Sequence, residues 1–163
     1  MDTMKANNGS GNNEARDSWE TPIKLFEELD KQYNFKFDCC ATKYNKKCFY
    51  FASDFLKTEK GIWIINNEPG WMNPPFSKAY EMFEQFFKVI SKGVAIYRCD
   101  NMETKIWQDI ILIHADWVFI PKGRICYEGM KGKGSRFPSA LIGVNVEAPK
   151  GLNGIVLHIR KKR

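Results

Sequence analysis

Residues 70–99 read "GWMNPPFSKAYEMFEQFFKVISKGVAIYRC", and this stretch decides the fold. It opens with a very short predicted strand at Gly70 to Met72, which leads into two consecutive prolines. Ser77 is a candidate N-cap for a helix that we expect Gly93 to terminate. An apolar stripe at helical spacing supports this helix and consists of Ala79, Met82, Phe83, Phe86 and Ile90. The run "VAIYRC" then predicts a buried strand.

The same alternation of helix and strand is found before this stretch. Thr21 and Pro22 resemble the N-cap and the first position of a helix at about residues 22–33. Apolar residues recur at helical spacing from Leu25 to Tyr33. "FKFDCCA" then predicts a short buried strand, and "CFYFASDFL" is a second apolar segment closed by an acidic residue.

The alternation continues after residue 99 and then changes. Asn101 is a candidate N-cap for a helix whose apolar residues are Ile106, Trp107, Ile110 and Ile113, and "ADWVFIP" is the next strand. In the last third, "RICYEG", "SALIGVNV" and "GIVLHIR" are strand-like segments with no helical pattern between them. We therefore predict an α/β fold with a mostly parallel sheet, covered on both faces, that ends in antiparallel C-terminal strands.

The length of 163 residues suits one compact domain. We expect residues 1–18 to be a disordered polar arm and residues 19–163 to form a single domain. The apolar runs are shorter than the roughly 20 residues that a membrane span needs. The N-terminus also lacks the apolar core of a signal peptide. These features predict a cytoplasmic protein with no membrane partner.

The net charge of +6 and the pI near 9.0 favour a polyanionic partner. A glycine-rich stretch collects five of the basic residues, which are Lys122, Arg124, Lys131, Lys133 and Arg136. Charge alone would fit a solvated loop equally well. We expect no metal site, because the cysteines form no CxxC pair and both histidines lie far from Cys39, Cys40 and Cys48 in sequence.

Chemically unusual residues follow three of the predicted strands. These residues are Asp38 to Ala41, Asp54 with Phe55, and Asn73 to Phe76. Ligands of open α/β sheets gather where the strands have their carboxyl ends. The sequence therefore predicts that the three strand ends share one site.

The tetrapeptide at residues 73–76 has the groups needed to activate an aromatic amine. Asn73 offers a side-chain carbonyl oxygen and Pro74 a backbone carbonyl oxygen, so both can accept hydrogen bonds from one exocyclic amine. Pro75 stiffens the pair. Phe76 offers a flat surface for a base, an interaction worth about 1–3 kcal/mol. Two acceptors return electron density to the nitrogen, which favours methyl transfer through orientation and electrostatic preorganisation.

The chain resembles the phage-type DNA N6-adenine methyltransferases, the Dam family, from about Trp19 to Val146. The resemblance rests on "WETP", "FDCCAT", "SDFL", "NPPF", "IPKGRICY" and "FPSALIG", which occur in the order that this family shows. It implies a Rossmann-like methyltransferase sheet, S-adenosylmethionine as cofactor and double-stranded DNA as partner. The implied reaction is methyl transfer to N6 of an adenine that is flipped out of the duplex.

The resemblance also implies roles for individual residues. The implied cofactor-binding residues are Trp19, Thr21, Pro22, Asp38, Cys40, Ala41, Asp54, Phe55 and Asn73. The implied catalytic residues are Asn73, Pro74, Pro75 and Phe76. The implied DNA-binding residues are Lys122, Arg124, Lys131, Lys133 and Arg136. Among them, Thr21 and Pro22 approach the methionine end of the cofactor, and Asp54 accepts a hydrogen bond from its adenine amine.

Two departures from the family leave other functions open. Cys39 stands where the family usually has proline, and Tyr44 stands where members often carry glutamate. A relative that binds DNA without catalysis is one alternative. Another is methylation of a different amine, either a protein glutamine or cytosine N4, although serine in place of Asn73 would be typical of the cytosine reaction.

Overall fold

The computed structural model describes Asp17, residues 19–129 and residues 137–159, without the side chain of Trp63. Nearly all of the arm predicted at residues 1–18 lies outside these residues. So do the predicted DNA contacts Lys131, Lys133 and Arg136.

Helices and short strands alternate along the described chain. Its helices are α1 (Ile23–Tyr33), α2 (Trp63–Asn67), α3 (Ala79–Val89) and α4 (Leu112–His114), with 3₁₀ turns at Phe55–Lys57 and Phe76–Lys78 and a π-helix at Ile106–Ile111. Its strands are β1 (Phe37–Asp38), β2 (Tyr50–Phe51), β3 (Gly70–Met72), β4 (Gly93–Arg98), β5 (Trp117–Pro121), β6 (Ser139–Val144) and β7 (Gly154–His158). None of these helices is long and apolar enough to cross a membrane.

Seven strands of the described residues form one sheet in the order β2-β1-β3-β4-β6-β5-β7. The first four in this order pair in parallel. β6 pairs antiparallel with β4 and β5, and β7 pairs antiparallel with β5. β5 therefore runs in the same direction as the parallel strands, and we call the side of the sheet where β1 to β5 end the carboxyl rim. The prediction of a mixed α/β fold with a parallel N-terminal part and antiparallel C-terminal strands is confirmed.

Apolar side chains cover both faces of the sheet. Met72 and Ala95 belong to one buried cluster together with Phe83 of α3. Trp71 and Val94 belong to another, which includes the buried residues of α1. Because neighbouring residues of a strand point to opposite faces, the two clusters lie on opposite sides of the sheet. α3 therefore covers one face and α1 the other.

The expected limits of the helix after the two prolines are wrong. Ser77 does not cap it, because the Ser77 backbone N–H and hydroxyl both donate to the Asp17 carboxylate. α3 begins at Ala79, with Lys78 as its N-cap residue, and ends at Val89. Gly93 is instead the first residue of β4, where a Cβ would collide with the carbonyl oxygen of Gly70. Glycine is therefore required at position 93 for close strand pairing.

The helix expected after Asn101 also differs from the prediction. It is a π-helix that continues into α4. The Asn101 side chain does not cap it, because its Oδ1 accepts a hydrogen bond from the Trp107 indole at 3.2 Å. The wider turn shifts the helical phase. Ile113, expected on the apolar face, is consequently 57% exposed.

The strand expected at "RICYEG" is wrong as well. Within this segment, only Glu128 pairs with another strand-like residue, in an isolated antiparallel bridge to Glu20. Ile125 and Tyr127 are buried in the cluster that contains Trp71. The alternation of apolar and polar residues thus arises from a loop packed on the core.

Three hydrogen bonds fasten α1 to the segment that follows β6. Gln32 Nε2 donates to the Ala148 carbonyl at 3.0 Å, and Lys150 N donates to Gln32 Oε1 at 2.8 Å. The Tyr33 hydroxyl donates to the Glu147 carbonyl at 2.7 Å. These contacts join residues 114 to 118 positions apart in the chain.

Candidate active site

A cleft of about 180 Å³ opens at the carboxyl rim, beside the ends of β1 and β3. Its walls come from the segment before α1, the loop after β1, and Asn73, which follows β3. Two of the three strand ends predicted to share a site therefore meet here. The third, after β2, contributes Ser53 to the cleft, whereas Asp54 and Phe55 do not line it.

Asn73 is half-buried on the wall of the cleft. Its Nδ2 donates to the backbone carbonyl of Trp19 at 3.2 Å. Because a carbonyl can only accept, this contact fixes which end of the amide carries the hydrogens. Oδ1 therefore points away from Trp19, and no donor of the described residues bonds to it. An amide oxygen is thus available to a ligand.

The two prolines after Asn73 hold a second acceptor. The Pro75 carbonyl accepts a hydrogen bond from Lys78 N at 3.1 Å, which closes the 3₁₀ turn. Pro74 is buried, and its carbonyl receives no hydrogen bond within the described chain. The fixed φ angles of both rings limit movement of this backbone.

Phe76 belongs to a group of rings that we call the aromatic cluster, defined as Trp19, Phe76, Tyr127 and Phe137. The Phe76 ring meets Phe137 and Trp19 edge-on, with centroid distances of 5.4 Å and 5.9 Å. Trp19 in turn stacks on Phe137 at 6.1 Å and on Tyr127 at 6.4 Å. Edge-on and stacked contacts fix ring orientations. Phe76 is half-buried, so it combines a fixed orientation with some exposed surface.

A partly buried ion pair supports the aromatic cluster. Arg98, the last residue of β4, donates to Asp100 through Nε at 2.7 Å and through Nη2 at 2.6 Å. The hydrogen bonds from Arg98 hold the pKa of the Asp100 carboxyl below its usual range. The guanidinium carbon lies 4.8 Å from the centroid of Phe137. This cation–π contact joins the end of β4 to the rings around Phe76.

Asp38 organises the loop after β1. Asp38 is only 3% exposed. Its carboxylate accepts hydrogen bonds from Cys40 N at 3.2 Å and from Lys47 N at 2.9 Å. Burial raises the pKa of Asp38 to about 6, although the two amide hydrogen bonds oppose this shift. The loop that it closes carries Ala41 and Cys40 to the cleft. Burial also raises the pKa of Cys40 to about 12, so this thiol is neutral at pH 7.

The N-terminal segment, defined as Asp17 and residues 19–22, makes hydrogen bonds and an ion pair on several sides of the cleft. Besides the contacts of Asp17 and Trp19, Glu20 N donates to the Glu128 carbonyl at 3.1 Å, and Glu128 N donates to the Glu20 carbonyl at 2.8 Å. The Glu20 carboxylate pairs with Lys47 Nζ at 3.1 Å. This segment therefore connects the loop after β1, Asn73, and the loop that contains Glu128.

Thr21 has an unsatisfied hydroxyl beside the cleft. The residue is 2% exposed, and its Oγ1 is buried with no hydrogen-bond partner among the described residues. Leaving such a group unpaired costs about 1–3 kcal/mol. A polar ligand atom would satisfy it. Since small-molecule sites usually enclose about 300–1,000 Å³, a nucleoside-sized ligand would fill the cleft and extend over its open side.

Asp54 and Phe55 lie away from the cleft wall. The Asp54 side chain is 54% exposed and pairs with Lys57 at 3.1 Å. Phe55 is 2% exposed, and its ring centroid lies 6.4 Å from that of Phe37 in the core. The 3₁₀ turn that begins at Phe55 directs this ring inward.

Two of the predicted DNA contacts lie at the carboxyl rim. Lys122 and Arg124 are exposed and follow β5, which ends on the same side of the sheet as β3. Neither residue lines the cleft. The other three, Lys131, Lys133 and Arg136, lie outside the described residues.

Sequence reasoning missed several residues of this site. Those with structural roles are Glu20, Lys47, Arg98, Tyr127, Glu128 and Phe137. A signal for some of them exists, because "WETP", "IPKGRICY" and "FPSALIG" contain Glu20, Tyr127 and Phe137. Among the described residues, no group of three or more acidic, histidine or cysteine side chains could hold a metal ion.

The chain matches a known family along most of its length. The sequence model described as DNA N-6-adenine-methyltransferase (Dam) matches residues 9–146. This span exceeds half of the 163 residues and includes every element from α1 to β6. No curated protein matches the chain. The predicted resemblance is confirmed.

Proposed function

The chain belongs to the DNA N-6-adenine-methyltransferase (Dam) family, and we propose that it transfers a methyl group from S-adenosylmethionine to N6 of an adenine flipped out of double-stranded DNA. One observation carries this proposal. Asn73 Nδ2 donates to the Trp19 carbonyl, so Asn73 Oδ1 is left to accept from a base. Family membership supports adenine-N6 methylation of DNA in general.

The amine of the target adenine is proposed to bind between two oxygens. Asn73 Oδ1 and the Pro74 carbonyl are both without a donor in the described chain, so each accepts one N–H of the amine. Acceptance of both hydrogens concentrates electron density on N6. The prolines and the Trp19 carbonyl hold the acceptors in place beforehand, which makes the contribution mainly one of preorganisation.

The half-buried ring of Phe76 is proposed to stack on the adenine. Its contacts with Trp19 and Phe137 fix the plane of the ring before the base arrives. No ionisable base is needed beside N6, because the surplus proton passes to bulk water after the bond between N6 and the methyl carbon has formed. Until then, Asn73 Oδ1 and the Pro74 carbonyl hold the hydrogens of the amine.

The cleft is the proposed cofactor site, and when bound there S-adenosylmethionine supplies an electrophilic methyl group. Thr21 Oγ1 is a buried hydroxyl without a partner in the described chain, which supports binding of a polar group beside Trp19; Pro22, the next residue, does not line the cleft. Cys40 and Ala41 also line the cleft, and they belong to the loop after β1 that Asp38 holds in place. Asp54 is proposed to meet the adenine end of the cofactor, which requires its carboxylate to leave Lys57, while the buried ring of Phe55 supports this turn from the core side.

The exposed basic residues after β5 are proposed to hold the DNA backbone. Flipping a base costs a few kcal/mol, and phosphate contacts stabilise the distorted strand. Lys122 and Arg124 lie at the carboxyl rim, on the side of Asn73. Lys131, Lys133 and Arg136 follow in the same glycine-rich stretch of the sequence and complete the proposed contact.

Methylation of unmodified duplex DNA with labelled S-adenosylmethionine tests the proposal, using wild type, Asn73→Ala and Asn73→Asp. We expect label at adenine N6 and a loss of about 100-fold or more in kcat for Asn73→Ala, because one acceptor is gone. Asn73→Asp keeps an acceptor and should retain more activity. Circular dichroism and calorimetric titration with S-adenosylmethionine check that both variants fold and bind cofactor.

Other outcomes would point elsewhere. Label only in cytosine, RNA or protein would exclude adenine as the substrate. DNA binding without any binding of S-adenosylmethionine would indicate a relative that has lost catalysis. Full activity of Asn73→Ala would show that the tetrapeptide does not hold the amine.

A further inference from the structure

The loop between β1 and β2, together with β2, exposes a group of lysines and aromatic rings that the proposed reaction does not use. We call this group the Lys46 surface, defined as Lys43, Tyr44, Lys46, Phe49, Tyr50 and Phe51. Tyr44, Phe49 and Tyr50 are 86%, 78% and 50% exposed. Large aromatic side chains usually contribute to cores, so several exposed rings in one segment indicate an interaction site.

Each lysine of this surface lies over a ring. Lys46 Nζ is 5.2 Å from the centroid of Phe49 and 5.1 Å from that of Phe51. Lys43 Nζ lies 4.9 Å from the centroid of Tyr44. Positive charge and flat apolar surface are therefore held next to each other. The exposure of Phe49 and Tyr44 leaves ring surface open to solvent.

All charged residues between Asp38 and Asp54 are lysines. No aspartate or glutamate occurs between Asp38 and Asp54. An unpaired nucleic-acid strand offers matching groups, because phosphates alternate with bases whose faces are uncovered. A duplex offers its phosphates but keeps its bases stacked. The combination of ammonium groups with exposed rings thus favours a single strand.

The Lys46 surface also lies near the proposed reaction centre. β2 is separated from β3 only by β1, so the two strands lie about 10 Å apart across the sheet. Both strands end at the carboxyl rim. Asn45 and Lys47, the two neighbours of Lys46 in this loop, line the cleft together with Asn73. A DNA strand that delivers a base to Asn73 would therefore pass close to Lys46, whose Nζ lies 5.2 Å from the centroid of the Phe49 ring. Removing that base from the stack also exposes its neighbours.

We propose that the Lys46 surface binds an unpaired segment of the DNA strand, with rings stacking on bases and lysines pairing with phosphates. This inference rests on the proposed function, since it deepens the account of the DNA partner. On this proposal, the chain binds single-stranded DNA through residues that are separate from Lys122 and Arg124.

Fluorescence anisotropy with a labelled single-stranded oligodeoxynucleotide and the matching duplex tests this inference, without methyl donor. The variants are Phe49→Ala, the ring-retaining control Phe49→Trp, Lys46→Gln, and Lys88→Gln as a control on α3. We expect Phe49→Ala to weaken single-strand binding by about fivefold or more, with Phe49→Trp close to wild type. Lys46→Gln should weaken binding and flatten its salt dependence, whereas Lys88→Gln should do neither.

The outcomes separate this inference from the proposed function. If wild type binds and methylates duplex DNA but Phe49→Ala binds the single strand as tightly as wild type, only the present inference is wrong. If wild type binds neither form of DNA, both proposals fail. A change in oligomeric state of Phe49→Ala with unchanged single-strand binding would make the surface a contact between copies. If Phe49→Ala weakens binding of the duplex and of the single strand equally, Phe49 does not stack on unpaired bases.

Discussion

At the scale of single residues, one backbone carbonyl determines what Asn73 can do. The side chain of asparagine carries a donor and an acceptor that differ little in shape, so its orientation depends on its partners. Trp19 supplies an acceptor at 3.2 Å for Nδ2 and thereby leaves Oδ1 without a donor among the described residues. The contact spans 54 positions of sequence. It depends on the main chain of residue 19 and is therefore compatible with many side chains there.

Asp38 gives the protein a pH-dependent stability. Burial raises the pKa of its carboxyl from 3.8 to about 6, so between these values the folded chain holds a proton that the unfolded chain has released. The stability supplied by this proton is complete below pH 3.8 and is lost as pH rises through about 6. Asp38→Asn lacks this titration. We expect the unfolding free energy of wild type, relative to Asp38→Asn, to fall by about 3 kcal/mol between about pH 3.5 and pH 7.

Urea unfolding of both proteins at several pH values measures this difference. Asp30→Asn serves as a control carboxyl outside the cleft. A difference that stays constant across the range would show that Asp38 is not buried as described.

At the scale of elements, a residue of a distant loop stabilises the first turn of α1. Ile23, its first residue, donates its backbone N–H to Glu128 Oε1 at 3.1 Å. Its N-cap residue, Pro22, makes no side-chain cap. Glu128 therefore substitutes for a local cap and also places a carboxylate at the positive end of the helix. The backbone bridge between Glu128 and Glu20 holds the N-terminal segment in the same place.

Glu128→Ala should destabilise the fold by about 1 kcal/mol, because the first turn of α1 loses both its hydrogen-bond acceptor and the favourable charge. Glu128→Gln is the matched control, since it retains Oε1 and loses only the charge. We expect it to lie between wild type and Glu128→Ala in urea midpoint. Identical midpoints for the three proteins would mean that the side chain does not support α1.

At the scale of the whole molecule, the sheet depends on close approaches between its antiparallel strands, and one of them joins β5 and β6. Trp117 of β5 lies opposite Gly143 of β6. A Cβ at position 143 would overlap the indole of Trp117. The same indole donates to the Val146 carbonyl at 2.7 Å, just before the segment that fastens α1. Packing at this point therefore affects both the antiparallel half of the sheet and the attachment of α1.

Gly143→Ala should destabilise the protein by about 1–3 kcal/mol, because the added methyl group displaces the Trp117 ring. The smaller ring of Trp117→Phe removes the atoms that the methyl group meets. We expect the cost of Gly143→Ala to be smaller in that background, as measured by a double-mutant cycle of unfolding free energies. Equal costs in both backgrounds would place the strain elsewhere.

Patterns in the sequence predict the parts of this protein that local periodicity controls. α1, β3 and β4 are found where apolar spacing places them, and Asn73 follows its strand as expected. The errors occur where a distant residue competes. Ser77 binds Asp17 in preference to capping α3, and the alternating segment around Tyr127 packs as a loop. Neither outcome leaves a local signal, because each depends on contacts far along the chain.

The fastening of α1 has a consequence for synthesis on the ribosome. The helix is translated early, yet its partners at residues 147–150 are among the last described residues to be made. A nascent chain therefore carries Gln32 and Tyr33 without these hydrogen-bond partners through most of translation, and incompletely packed chains are prone to aggregation. A premature stop codon before residue 147 would yield a polypeptide that lacks all three of these hydrogen bonds between α1 and the segment after β6. The residues that line the cleft all lie between Asp17 and Asn73, so they are synthesised before this attachment of α1 can form.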